Sequence, residues 1–202
     1  FLTSTISGEG KTFVSANLAA TFSLSGKKVL LMGLDLRNPK LYEYLKVNPL
    51  GISNYITTNN KPLKDFILPV EGYDNFDVLS SGSIPPNPTE ILMSKKIKEI
   101  FDELKAQYDY IIVDTAPVSL VTDTLLISKH ADATIYVVRA NKIDKDMLRI
   151  PNDLYRDNKL TKLTFVLNDS DVTKGYGYGY GYGYGNVVEV KPLWKRILGI
   201  KQ

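Results

Sequence analysis

The chain has 202 residues, 44% of them hydrophobic and 23% charged, with a formal net charge of +3. That balance belongs to a globular domain and excludes wholesale disorder, and no apolar run approaches the ~18 residues of a membrane-spanning helix. With no cysteine and a single histidine, His130, there is no material for disulfides, thiol catalysis, thiolate metal sites or a His cluster. The charge is too small and too spread to argue for nucleic acid as a partner. Composition therefore predicts a soluble cytosolic domain and stops short of a function.

The chain opens on Phe1-Leu2-Thr3-Ser4 with neither an initiator methionine nor a signal-peptide pattern. It starts as if halfway through a strand, so the N-terminus is expected to be a cut edge of something longer. A helix is predicted over Lys11–Ser25, where Val14, Leu18 and Phe22 recur at i, i+4 and i+8 and Gly26 follows as a stop. Val29–Met32, Phe76–Leu79, Tyr110–Val113, Ala133–Val138 and Leu163–Leu167 read as strands, mostly buried on both faces. A second helix is expected to begin at Pro88-Thr89-Glu90 and to run through Ile91, Ile97, Ile100, Phe101 and Leu104. His130 falls at a helix end, where it complements the dipole, and is given no catalytic role. Alternating strands and helices predict an α/β fold of the P-loop type, a mostly parallel sheet with helices on both faces, over residues 1–170.

Residues 171–202 are of another kind. From Gly175 to Gly185 glycine alternates with Tyr176, Tyr178, Tyr180, Tyr182 and Tyr184. Glycine at every second position makes ordering costly, so a flexible tail is predicted. A short basic-amphipathic segment containing Trp194, Ile197 and Leu198 follows it.

The densest chemistry lies at Thr5-Ile6-Ser7-Gly8-Glu9-Gly10-Lys11-Thr12, a phosphate-loop pattern in which Thr5 stands where a glycine is usual. Gly8 and Gly10 let the backbone curl so that successive N–H groups face an anion, and the helix that follows adds its positive dipole end. Lys11 can bridge the outer phosphates of ATP, and the Thr12 hydroxyl can ligate Mg²⁺. A magnesium site also needs carboxylates at strand ends, and Ile111-Ile112-Val113-Asp114 delivers one; the bland alternative is that Asp114 caps the next helix. Leu34-Asp35-Leu36-Arg37 offers a second, with Asp35 and Arg37 on one side and the leucines on the other, although a solvated turn would look the same. Asn168, ending the last strand, is a candidate for an adenine edge, or simply a turn residue.

Taken together, Thr3–Thr12, Val29–Pro39, Gly51–Ile56, Ser81–Pro88 and Tyr110–Pro117 occur in the order seen in bacterial tyrosine kinases. The chain resembles the cytoplasmic domains of capsule and exopolysaccharide chain-length regulators from residue 1 to about 185. The resemblance implies a fold shared with partition and cell-division ATPases, and transfer of the γ-phosphoryl group of ATP to tail tyrosines, generally those of a neighbouring copy. It implies Gly8, Glu9, Gly10, Lys11 and Thr12 as the Walker A loop, Asp35 in a second Walker-type motif with Arg37 beside it, and Asp114 as the Walker B acid. Thr12, Asp35 and Asp114 would face the metal. Implied partners are further copies in a ring, a membrane-anchored activator or chain-length domain at the inner face of the plasma membrane, and a tyrosine phosphatase.

Two departures from the family pattern stand out. Gly33 occupies the position of a usual aspartate, so one carboxylate is absent, and restoring it is expected to raise the rate. The Glu/Arg-containing helix that joins subunits into rings would lie upstream of Phe1. Two other readings compete. A partition-type ATPase would carry a signature lysine where Ile6 stands and would lack the tyrosines. A non-catalytic nucleotide-binding module of a polysaccharide export complex would fit Gly33.

Overall fold

The computed structural model describes residues 1–58 and 61–171. By its contacts the chain divides into Phe1–Ser170 and Asp171–Gln202; the tail tyrosines and the Trp194 segment lie outside the described residues. In chain order the first unit contains β1 (Leu2–Ser4), α1 (Lys11–Leu24), β2 (Val29–Gly33), α2 (Ile52–Thr57), β3 (Ile67–Pro69), β4 (Phe76–Leu79), α3 (Pro88–Met93), α4 (Lys95–Lys105), β5 (Tyr110–Asp114), α5 (Asp123–Ile127), β6 (Thr134–Arg139), α6 (Arg149–Arg156) and β7 (Leu163–Asn168).

The seven strands form one sheet in the order β3-β4-β2-β5-β1-β6-β7. All pairs are parallel except β3 with β4. This is the expected α/β architecture, and β2 shows why the apolar runs read as buried strands. Its five residues are all buried. Val29 and Leu31 join the cluster under α1, with Ala16 and Ala19. Leu30 and Met32 join the opposite cluster, with Ile97, Ile100, Phe101 and Leu104 of α4. Alternation on one strand thus feeds two cores, and each fully buried aliphatic side chain contributes roughly 1.5–3 kcal/mol.

Three details differ from the sequence reading. The most buried face of α1 is Ser15, Ala16, Ala19 and Ser23, while Val14, Leu18 and Phe22 flank it, half-buried. Small side chains let the helix sit close to the sheet. The second helix is two: Ser94, at φ −64° and ψ 149°, breaks the run between α3 and α4. The apolar period continues across that break, which is why the sequence concealed it. β7 is an edge strand and not buried on both faces, since Phe165 and Leu167 are exposed. The short β3, unforeseen, ends on Pro69 at the other edge, where a missing N–H costs the sheet nothing.

Candidate functional site

Parallel strands bring their C-terminal ends to one edge, and that edge holds the chemistry. Leu2 of β1 and Gly33 of β2 are both in register with Asp114 of β5. β1 therefore begins level with the carboxylate that ends β5, and the loop leaves it where Val118 and Ser119 donate backbone N–H groups to the Ser4 and Thr5 carbonyls. Gly8 (φ 84°) and Gly10 (φ 93°) take left-handed backbone conformations, which only glycine adopts without strain, and they turn the chain into α1. Glu9 is buried and its Oε2 accepts a hydrogen bond from the Ile6 N–H at 2.8 Å, closing the loop on itself. Thr5, in the place of the usual glycine, is also buried. Its hydroxyl lies 3.0 Å from that of Tyr136, whose phenol burial pushes up to about 12.

Lys11 is buried at 7% exposure, which rules out a lysine solvated at a simple turn. Burial lowers its pKa, opposed by the nearby carboxylates of Asp114, Asp35 and Glu9. Asp114 is buried too, and its pKa is pushed up to about 6 by burial. The Thr12 hydroxyl bond and the Lys11 charge pull the other way. Thr12 Oγ1 donates to Asp114 Oδ2 at 2.7 Å. Asp114 Oδ1 is buried with no hydrogen-bond partner. An acceptor in that condition costs free energy unless something fills the gap, and α5 begins only at Asp123 with Thr122 at its N-cap, so Asp114 does not cap it. Asp35 lies across the cleft, its pKa raised by burial against the pull of the Asn38 amide, the Lys11 charge and the Arg37 amide. Its Oδ1 accepts both of those amides, Arg37 N at 3.2 Å and Asn38 N at 3.0 Å. Gly8, Gly10, Lys11, Thr12, Asp35 and Lys40 are among the residues that line a cleft of about 150 Å³.

The site also redistributes roles. The Arg37 guanidinium does not hold the Asp35 carboxylate. It pairs with Asp123, Nε to Oδ2 at 2.7 Å and Nη2 to Oδ1 at 3.1 Å, and Nη2 also reaches Thr89 Oγ1 at 3.0 Å. Arg37 therefore fixes the turn of residues 34–38 to α3 and α5. Asp123 went unnoticed in the sequence, being 86 residues from its partner. Asn168 Nδ2 donates to the Glu9 carbonyl at 2.9 Å, leaving Oδ1 outside that bond. His130 ends a turn at Ser128–His130 and stacks on Phe101 with ring centres 4.9 Å apart, away from the cleft. At Gly33 a β-carbon would lie 2.8 Å from Ser81 Oγ, 2.9 Å from Leu41 Cδ1 and 3.1 Å from the Ser81 amide nitrogen. The space an aspartate would need is already filled.

A family profile described as "AAA domain" matches residues 5–146. Tyrosine-protein kinase YwqD of Bacillus subtilis is 35% identical over 174 residues, covering 86% of this chain and 73% of YwqD. The chain belongs to the bacterial tyrosine-kinase family. Among solved structures, the chimerical protein CapA2B2 aligns with a TM-score of 0.77 at 35% identity, over 84% of this chain and 74% of the chimera. The kinase domain of Escherichia coli tyrosine kinase ETK aligns with a TM-score of 0.78 at 28% identity, over 92% and 71%. The fold of this family implies a nucleotide-binding domain, and no helix among the described residues is long and apolar enough to cross a membrane.

A divalent cation fits this kinase site. Among the described residues no group of three His, Cys, Asp or Glu side chains could hold a metal by itself. Mg²⁺ characteristically takes one or two protein ligands and completes its shell with phosphate and water. Thr12, which lines the cleft, and the Asp114 carboxylate bonded to it, whose Oδ1 is buried without a partner, supply such a partial set, and Asp35 lines the same cleft as Thr12.

Proposed function

We propose that this domain transfers the γ-phosphoryl group of ATP to tyrosine hydroxyls, those of Tyr176, Tyr178, Tyr180, Tyr182 and Tyr184 on a neighbouring copy of the chain. The observation that carries the proposal is the grouping of buried Lys11 and buried Asp114 with Thr12 at the mouth of a glycine loop, in a chain whose relative YwqD is named a tyrosine-protein kinase. In the reaction the bond from the γ-phosphorus to the β,γ-bridging oxygen breaks, a bond from the tyrosine oxygen forms, and ADP leaves. Such transfer is governed by positioning and charge neutralisation. Lys11 and the loop amides stabilise the charge that develops on the leaving phosphates. Thr12 and Asp114 would hold a Mg²⁺ ion, which would supply positive charge against the phosphates. Asp35, held by two backbone amides and with its pKa raised by burial, accepts the phenol proton, since free tyrosine with a pKa of about 10 is protonated at neutral pH.

The proposed setting is a capsule or exopolysaccharide export assembly at the cytoplasmic face of the plasma membrane. There a membrane-anchored activator or chain-length domain engages the kinase, further copies assemble with it, and a tyrosine phosphatase resets it. A second reading is favoured by Gly33, where the missing carboxylate would crowd Ser81 and Leu41: a module that binds nucleotide and regulates export without catalysis. Incubating the purified chain with Mg-ATP and mapping phosphotyrosine by mass spectrometry separates the two. Phosphate on the tail supports the kinase. Tight ATP binding with neither ADP nor phosphotyrosine supports the module.

A further inference from the structure

The loop that would cradle phosphate is held from behind by the last two strands of the sheet. β6 and β7 run parallel and end in register at Arg139 and Asn168. Arg139 donates from Nη1 to the Gly8 carbonyl at 3.2 Å while its Nε pairs with Asp169 Oδ2 at 2.9 Å. Asn168 donates from Nδ2 to the next carbonyl, that of Glu9, at 2.9 Å. The Asn168 amide sits so close that a β-carbon on Gly10 would fall 2.1 Å from Nδ2. Neither Arg139 nor Asn168 lines the cleft.

In a trans peptide the C=O of one residue and the N–H of the next point in opposite directions. Holding the Gly8 carbonyl toward Arg139 therefore turns the Glu9 N–H the other way, and holding the Glu9 carbonyl toward Asn168 does the same for the Gly10 N–H. We propose that Arg139 and Asn168 are positioning residues: a two-point clamp that aims the Glu9 and Gly10 amides at the bound phosphate before it arrives. The inference rests on the nucleotide reading above and adds to it the source of the loop's preorganisation. Asp169 pairs with the same guanidinium and keeps it from swinging into solvent.

The test uses the full chain and two probes, Mg-ADP and inorganic pyrophosphate, the second having no adenine. Binding is measured by calorimetry for wild type, Arg139→Ala, Asn168→Ala and Asp169→Ala, with thermal unfolding of each nucleotide-free chain beside it. The clamp predicts that Arg139→Ala and Asn168→Ala each weaken both probes by about tenfold, that Asp169→Ala weakens them less, and that the melting temperature of the ligand-free chain hardly moves. If Asn168→Ala weakens ADP but leaves pyrophosphate untouched, Asn168 reads adenine and the clamp is overturned at that point. If wild type binds both probes and Arg139→Ala binds them equally well, the clamp is wrong while the nucleotide reading stands. If wild type binds neither, the nucleotide reading falls and takes the clamp with it. A variant that unfolds is replaced by Arg139→Lys, which keeps the charge but cannot reach Asp169 and Gly8 together, and the same loss is expected.

Discussion

Two carboxylate-bearing corners meet at the edge of this sheet and are built on different principles. At the end of β5, Asp114 is buried against Thr12, next to a buried lysine, with one oxygen left without a partner. At the end of β2, Asp35 is only half-buried, its backbone turn is anchored by Arg37 to a distant acid, and the neighbouring Gly33 is packed against Ser81 and Leu41. The first corner holds a buried acceptor without a partner, a demand that the proposed nucleotide and its cation would relieve. The second has one carboxylate oxygen already held by two backbone amides. On the proposed function, anion and metal binding would fall to the β5 corner and the incoming hydroxyl to the β2 corner, so substitutions at the two should fail in different ways.

The largest effect is expected at Lys11. Lys11→Met keeps the approximate length and packing of the side chain and removes the charge that faces phosphate, so phosphoryl transfer should fall by more than about 100-fold while the circular dichroism spectrum stays unchanged. Full activity in a well-folded variant would remove the phosphate loop from the account.

Asp114→Asn should come next, and it sharpens the comparison because rate and stability move in opposite directions. The Asp114 pKa is raised by folding from 3.8 to about 6. The native state therefore binds more protons than the unfolded one between those values, and this group's contribution to stability is present below about 4 and lost as pH rises through about 6. Above pH 6 the ligand-free wild type holds a buried charge that the asparagine variant lacks, so the variant should melt a few degrees higher at pH 7 and show a flatter pH profile. Mg-ATP affinity of the wild type should climb through pH 6 as Asp114 ionises, and that climb should vanish in the variant. Thermal melts and titrations from pH 5 to 8 check both signs.

Gly33→Asp tests the other corner, and here the structure reverses the expectation drawn from the sequence. A carboxylate at 33 must displace Leu41 or Ser81. Overpacking of this kind costs roughly 1–3 kcal/mol, so the variant should lose stability, and the rate should fall instead of rising. Adding Leu41→Ala to make room should recover part of both. A gain in rate from Gly33→Asp alone would show that the corner is more yielding than its packing implies.

Much of the β5 corner was legible because its signals are local. A glycine loop followed by Lys-Thr, and an apolar strand ending in Asp, are patterns that physics attaches to short segments. The β2 corner was legible only in part. The alternation of Asp35 and Arg37 with buried leucines was visible, but the partner of Arg37 lies on a helix that begins at Asp123, and no local pattern links the two. Asn168 looked like a ligand contact or a turn, because nothing nearby in the chain announces that the Glu9 carbonyl is within reach. Ser94 broke a helix whose apolar period continued on either side, and β7 looked like a core strand because an edge position is a property of topology, not of the residues themselves.

The smallest effect is expected from Arg37→Ala. Arg37 acts through the turn and not on the substrate, so its loss should lower kcat by about tenfold with little change in ATP affinity. Equal losses in kcat and ATP binding would instead place Arg37 on the phosphates and erase the division between the corners.

On the proposed function this site moves phosphate to the tail tyrosines of a neighbouring copy of the chain. The direct measurement is quantitative phosphotyrosine mapping of the intact chain after incubation with Mg-ATP, alongside a variant with Tyr176, Tyr178, Tyr180, Tyr182 and Tyr184 replaced by phenylalanine. The account predicts phosphate on those five positions in the wild type, a rate per molecule that rises with protein concentration, and loss of most of the incorporation in the variant at unchanged ATP affinity. Phosphate accumulating undiminished on Tyr42, Tyr55 or Tyr155 in the phenylalanine variant, or ATP bound with no phosphotyrosine formed at all, would contradict it.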